Sequence, residues 1–332
     1  MDYHARFLSR SGYLPEFDYP SRRVRLLHRG AIVLILLLLL PAMAGCSVNN
    51  SVPAADSSET AGAPSTASAQ QETIAPQTIY DANGIKVDMT EFGSYLGEAN
   101  EGTIIAGDGV WMKFSIENGS GSDIHVESIL ASVNDVMIQP MRFSTWVAAG
   151  QTSTDATLSF DYGDLKRASI KQVGSISFIL AVIDSSTWDA IDVKYITLHS
   201  TLGDANQLRT YPPGRTLLDQ GGVKVCYYDN EYDGQTYYCK LYIENDTDKT
   251  VSVRLDGARA DGVDVAANTY PTNCDLFPGT VAYGQISVQT ADKGYAGPDS
   301  IRQLAGTLNV SRYDDGSSTI ASADVALDLS QG

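Results

Sequence analysis

The chain has 332 residues, 43% of them hydrophobic and 9% aromatic, and a formal net charge of −17 from 23 Lys and Arg against 40 Asp and Glu. This length exceeds one typical domain, and the apolar content suffices to bury a core. The acidic balance repels nucleic acid and anionic headgroups, so no nucleic-acid partner is expected.

The first element is a leader. Arg22, Arg23, Arg25 and Arg29 precede the apolar run Ala31–Leu40, and Pro41 ends it. A positive flank, a short apolar core and small residues are the parts of a secretory signal peptide. The run is too short to cross a hydrocarbon core of ~30 Å as a helix. Met43-Ala44-Gly45-Cys46 then resembles a bacterial lipoprotein cleavage site. That resemblance implies a diacylglyceryl group on the Cys46 thiol, removal of residues 1–45, and Cys46 as the first mature residue. It places the protein on the extracellular face of the bacterial cell membrane, lipid-anchored, since two acyl chains hold stably where one does not. Ser21-Arg22-Arg23 is similar to a twin-arginine signal, but Arg25 and Leu27 depart from it and favour the general secretory route.

Residues 46–78 read as a disordered stalk. They are rich in Ser, Ala, Thr, Gln and Pro, with too few apolar anchors to offset ordering entropy. Two β-sandwich domains are predicted beyond it, 79–200 and 217–330, with a linker at 201–216 that holds Pro212-Pro213. The reason is internal repetition. Gly84-Ile85-Lys86-Val87 recurs as Gly222-Val223-Lys224-Val225, and Phe114-Ser115-Ile116-Glu117-Asn118 as Leu241-Tyr242-Ile243-Glu244-Asn245. Val133-Asn134-Asp135-Val136 recurs as Ala260-Asp261-Gly262-Val263, and Ile170-Lys171-Gln172-Val173 as Ile301-Arg302-Gln303-Leu304.

Within each half the apolar period is two. Met112, Phe114 and Ile116 alternate with Trp111, Lys113 and Ser115; Cys239, Leu241 and Ile243 alternate with Tyr238, Lys240 and Tyr242. Turns are expected at Asn83-Gly84, Asn118-Gly119, Asn134-Asp135, Asp261-Gly262 and Asp315-Gly316. About seven strands per half are predicted, in the first near 85–90, 110–117, 124–133, 136–139, 152–160, 175–183 and 192–198. One helical turn is expected within Asp164–Val173. The fold class is all-β: two tandem immunoglobulin-like antiparallel β-sandwiches after a signal peptide and stalk. Leader, stalk and paired modules together resemble bacterial surface lipoproteins with tandem immunoglobulin-like domains, as in anaerobic Gram-positive bacteria. The resemblance implies no reaction.

Lipidation of Cys46 leaves Cys226, Cys239 and Cys274. Alternation sends Cys226 and Cys239 to opposite faces, which argues against a simple hairpin disulfide, and buried free thiols are the alternative. His125 and His199 sit in predicted strands without a nucleophile motif beside them and read as ordinary surface or half-buried residues. No catalytic residue, metal site or cofactor is assigned, and the chain reads as a non-enzyme. The rejected readings include an EF-hand at Asp229–Gly234, where Lys240 stands at the twelfth position, and a phosphate loop. A loose calcium site among those acids stays open. The binding surface expected is the hairpin from Tyr227 to Tyr238, with Tyr228, Tyr238 and Tyr242 facing away from the core beside Asp229, Glu231 and Asp233. The function expected is a monomeric cell-surface binding, adhesion or accessory module for an envelope glycan or a protein. A structural spacer, and more remotely a carbohydrate-active enzyme, are the alternatives. An exposed aromatic patch would favour binding over the spacer.

Overall fold

The computed structural model describes residues 72–96, 109–203, 212–269, 274–289, 301–313 and 318–329. The leader, Cys46, most of the stalk and Asp315-Gly316 lie outside the described residues. Among the described residues no helix is long and apolar enough to cross a membrane.

The first half comprises β1 (Gln77–Ala82), β2 (Ile85–Tyr95), β3 (Gly109–Asn118), β4 (Ile124–Val133), β5 (Val136–Met137), β6 (Pro140–Met141), β7 (Ser144–Val147), β8 (Thr152–Asp161), β9 (Ser175–Asp184) and β10 (Ala190–His199). One short helix, α1 (Tyr162–Arg167), lies between β8 and β9, capped where the Asp161 carboxylate accepts the Gly163 N–H. The second half comprises β11 (Arg215–Gln220), β12 (Val223–Tyr232), β13 (Thr236–Asn245), β14 (Val251–Ala260), β15 (Val263–Asp264), β16 (Ala267–Thr269), β17 (Asp275–Leu276), β18 (Val281–Gln289), β19 (Gln303–Arg312) and β20 (Thr319–Asp328).

These strands form three sheets. Sheet A runs β1-β2-β3-β8-β6, sheet C runs β15-β14-β19-β20, and a long sheet B runs β10-β9-β4-β5-β18-β13-β12-β11. In the first half β2-β3-β8-β6 faces β10-β9-β4-β5, the two-sheet order of an immunoglobulin sandwich with one added edge strand, β1. The second half repeats it with β12-β13-β18-β16 against β20-β19-β14-β15, and β11 as the added strand.

The duplication extends to single hydrogen bonds. Asn118, at the end of β3, donates its amide to the carbonyls of Ser122 and Val147, both 2.9 Å, and its side-chain oxygen accepts from Ser120. Asn245, at the end of β13, donates to the carbonyls of Lys249, Leu276 and Phe277 and accepts from Thr247. Tight turns recur too. Asn83-Gly84, Asn134-Asp135, Gly221-Gly222 and Asp261-Gly262 all have positive φ at both residues, as two-residue hairpins of this twist require. One sequence landmark needs correction. Asn134 accepts from the N–H groups of Gly174 and Ser175, and Asp261 from those of Arg302 and Gln303. Ile301 is therefore the counterpart of Val173, not of Ile170.

Sheet A alternates buried and exposed along β3, because one of its faces meets solvent. Along β4 and β9 the alternation is lost and nearly every residue is buried. At these central strands sheet B is covered on both faces, while its edge strands β10 and β11 are half-buried or exposed along most of their length. One core packs sheet A against Ile124, Val126, Phe178, Leu180 and Val182 of sheet B, and it also takes in Cys226, Tyr242 and Val281 from the second half. The join itself is parallel: Val281 pairs with Val136 and Ala282 with Met137, and the Val281 N–H donates to the Asp135 carbonyl at 3.0 Å.

The folded part begins ahead of residue 79, where the stalk was expected to end. Ile74 is buried in the core, the Thr201 N–H donates to the Thr73 carbonyl, and β1 starts at Gln77. The apolar content of the stalk hides this, since one isoleucine suffices to dock the segment.

Candidate functional site

Strand β4 sends Ile124 and Val126 into the core, so parity sends His125 to the opposite face of sheet B. Strand β7 lies antiparallel to β4, with Trp146 directly across from His125. The two rings stack at 4.8 Å between centroids and 17° between planes. Trp188, in the turn between β9 and β10, meets Trp146 at 5.2 Å and His125 at 5.8 Å, with its plane turned by 84° and 72°. The near equality of those two distances puts Trp188 on the flank of the stack. A ring lying over the outer face of Trp146 would stand about twice the stacking distance from His125. Trp146 is 56% exposed, while His125 beneath it is 2% exposed. The indole is thus fastened on one face and open on the other.

Three local devices hold this cluster. The His125 Nε2 lies 2.7 Å from the Ser144 hydroxyl oxygen. The Asp184 carboxylate accepts from the Ser186 hydroxyl and from the N–H groups of Ser186 and Thr187. Those bonds, with the Ser186 hydroxyl foremost, bring Asp184 down to about 2, so it is charged at neutral pH. Trp188 itself takes φ +62°, a left-handed conformation that bulky residues seldom adopt. Its N–H donates to the Asp184 carbonyl at 2.8 Å, which holds it there. Strain of this kind costs on the order of 1–3 kcal/mol and persists where the surroundings over-determine it.

The second half supplies a control within the same chain. The positions matching His125 and Trp146 are Ser252 and Asp275, cross-strand partners on β14 and β17. There the Ser252 hydroxyl donates to the Asp275 carboxylate, and both residues are buried. The sandwich does not need an exposed tryptophan at this register. His125, expected as an ordinary surface or half-buried residue, is instead buried beneath Trp146, and that reading missed the cluster. The available signal was the parity of His125 against Ile124 and Val126.

The expected tyrosine hairpin is differently disposed. Tyr242 is buried rather than turned to solvent, a correction whose cause is sheet B: the outer face of β12-β13-β18 is covered by the first half. Its hydroxyl lies 3.2 Å from Glu244 Oε1, and its ring meets Tyr283 edge-on at 5.4 Å. Tyr228 packs against the same core and against Tyr283. Lys240 bridges Asp229 at 3.0 Å and Glu231 at 3.2 Å. Asp233 accepts from the N–H groups of Gln235 and Thr236, which lower its pKa, and from the Tyr238 hydroxyl at 2.8 Å. Only Tyr238, Asp229, Glu231 and Asp233 of the six candidates reach the surface together, and each is engaged with another residue of the same hairpin. Among the described residues no cluster of three or more His, Cys, Asp or Glu converges as for a metal.

Cys226, Cys239 and Cys274 are free and buried. Cys226 faces the core shared with the first half, and Cys239 faces the other way, as alternation requires. Burial pushes the Cys239 and Cys274 thiols to about 12, so neither is a thiolate at neutral pH.

No protein-family model matches the sequence, and no curated protein does. Solved structures with some likeness include a conserved domain protein from Bacillus anthracis, at 11% identity and TM-score 0.28, covering 78% of this chain and 91% of that one. The YadV chaperone matches at 13% identity and TM-score 0.21, over 65% of this chain and 92% of its own. The Salmonella enterica SafA pilin in complex with the SafB chaperone matches at 12% identity and TM-score 0.19, over 75% and 98%. At these scores the likeness assigns neither function nor partner.

Proposed function

We propose that this chain is a lipid-anchored cell-surface module that binds, rather than transforms, a protein or glycan of the envelope or its surroundings. The observation that carries the reading is the open face of Trp146. An indole more than half exposed, clamped by His125 and Trp188, is costly to keep in water, and the duplicate half dispenses with it. Aromatic side chains fixed in this way are rigid contact area with little entropy left to lose, which is what recognition surfaces use. The anchor rests on the leader: with Cys46 acylated, the stalk would hold the two modules away from the bilayer. The spacer alternative draws on sheet B, which runs unbroken through both halves.

Two experiments test the reading. Mass spectrometry of detergent-extracted protein should find a diacylglyceryl group on Cys46 and no residues before it; an intact Met1 species as the main form would refute the anchor. Envelope fractions passed over the immobilised full chain should leave material on the wild type that Trp146→Ala fails to retain. Equal retention would place the binding surface elsewhere than Trp146, and none by either would leave the spacer.

A further inference from the structure

Resting on that binding reading, we propose that the outer face of Trp146 receives a cationic side chain, specifically an arginine guanidinium carried by a basic segment of a partner protein. The charge around the cluster supports this. The three stretches that build it are Asp123–Glu127, Phe143–Ala149 and Asp184–Val193. They contain Asp123, Glu127, Asp184 and Asp189 on or beside the cluster, with Arg142 just before the second stretch; Asp192 is paired with Lys194 at 3.5 Å and turned toward Tyr80, away from Trp146. Asp184 sits four residues before Trp188 and stays ionised far below neutral pH, held by its own turn. An indole face is the best aromatic receptor for a cation, and carboxylates around it add attraction of the same sign.

The chain itself shows the pairing elsewhere. Trp111 lies flat across Gly93, where a Cβ would come within 2.2 Å of the ring. Lys113 places its ammonium 5.0 Å from that indole's centroid. Trp111 has therefore been given a cation by its own strand. The strand that carries Trp146 places no such cation on its ring: the nearest in sequence is Arg142, four residues before it, and Lys194 is paired with Asp192. A guanidinium suits the open face better than an ammonium, because it is planar, weakly hydrated and stacks on a ring while its N–H groups reach carboxylates. The net charge of −17 would draw a basic segment in, and salt would weaken the encounter.

The test uses the full chain with its three tryptophans replaced by 5-fluorotryptophan, which gives one fluorine signal per ring. A capped hexa-arginine peptide should move the Trp146 and Trp188 signals at concentrations that leave Trp111 unmoved. Hexa-lysine should need several-fold more. Trp146→Ala keeps the net charge and should weaken hexa-arginine binding by about five- to tenfold, with Trp146→Phe in between. If hexa-arginine leaves the Trp146 signal in place, or binds Trp146→Ala as tightly as the wild type, the inference is wrong and charge alone is at work. If a neutral β-1,4-linked glucose hexasaccharide moves Trp146 and hexa-arginine does not, the site is a sugar platform: the cation falls and the binding reading stands. The labelled wild type decides between these even if Trp146→Ala unfolds.

Discussion

Two asparagines and one aspartate show how single residues fix this fold. Asn118 and Asn245 stood out in the sequence only as landmarks of the repeat. Their work was not legible there, because the carbonyls they satisfy come from residues 4 to 32 positions away. Each is buried, and each side-chain amide holds the loop leaving its strand against a second loop across the end of the sandwich. Truncation would remove two or three hydrogen bonds and take the amide from the buried Val147 or Leu276 carbonyl, at about 1–3 kcal/mol for such a group, while the Ser122, Lys249 and Phe277 carbonyls keep the hydroxyls of Ser120, Thr247 and Thr280. Asn118→Ala and Asn245→Ala should each lower stability by roughly 2–4 kcal/mol in urea titrations, and Asp at either place should do no better, since a carboxylate cannot donate. A loss below about half a kcal/mol would show that water replaces the amide. Asp275 makes a prediction about pH. Its carboxyl is fully enclosed, with Ser252 donating to it, Arg254 as the charged neighbour and Cys274 beside it, and burial raises its pKa to about 6. Unfolded, it would titrate near 3.9. Between those values the native state keeps a proton that the unfolded chain has lost, so stability is full below pH 4 and declines as pH rises through 6. Asp275→Asn should remove that decline, on the order of 2 kcal/mol; an unchanged stability profile across pH 4–7 would refute the assignment.

Strands were the most legible elements. The expected stretches near 110–117, 124–133, 152–160, 175–183 and 192–198 agree closely with β3, β4, β8, β9 and β10, because alternation and turn residues are local signals. Strands β1, β6 and β7 escaped notice. β7 is four residues long, and only its pairing with β4 makes it a strand. That omission also hid the aromatic cluster, which is a cross-strand pair before it is anything else. The tyrosine hairpin erred in the other direction. Alternation correctly placed Tyr228 and Tyr242 off the second-half core, but the sequence carried no sign that a second core would receive them. The two residues the binding hypothesis groups together therefore part company. Tyr228→Ser removes a ring packed on Tyr283 and on the first-half core, and should cost about 2–3 kcal/mol. Tyr238→Ser gives up an exposed hydrogen bond to Asp233 and should cost under about 1 kcal/mol. Thermal melts of the two variants measure the difference, and equal losses would contradict this division of roles.

At the scale of the molecule, the repeat made legible a strand order that recurs in each half, and what it could not convey is that the halves share a sheet. The parallel contact of β5 with β18 involves only two residue pairs, too few to leave a pattern in sequence. Its consequence is larger than its length. It aligns sheet B so that sheet A covers one face and Cys226, Tyr242, Val281 and partly Tyr228 and Tyr283 complete the first core from the second half. On the other half, Tyr195 meets Phe277 edge-on at 4.9 Å. Separating the halves would bare several large apolar side chains, each worth about 1.5–3 kcal/mol when buried, against the 5–15 kcal/mol of a typical domain. Each half has its own two-sheet arrangement and a length within the range of independent domains. The expectation is that 72–203 and 212–332, expressed alone, each melt cooperatively but well below the intact chain, while the intact chain unfolds in a single calorimetric transition. Tyr242→Ala in the intact chain should loosen the coupling and split that transition, because it removes the largest second-half side chain fully enclosed in the first core. Two separate transitions in the wild type, at the temperatures of the isolated halves, would mean that β5 and β18 touch without coupling the modules. The tandem arrangement would then be two beads on a string, and the open face of Trp146 would turn independently of the second module.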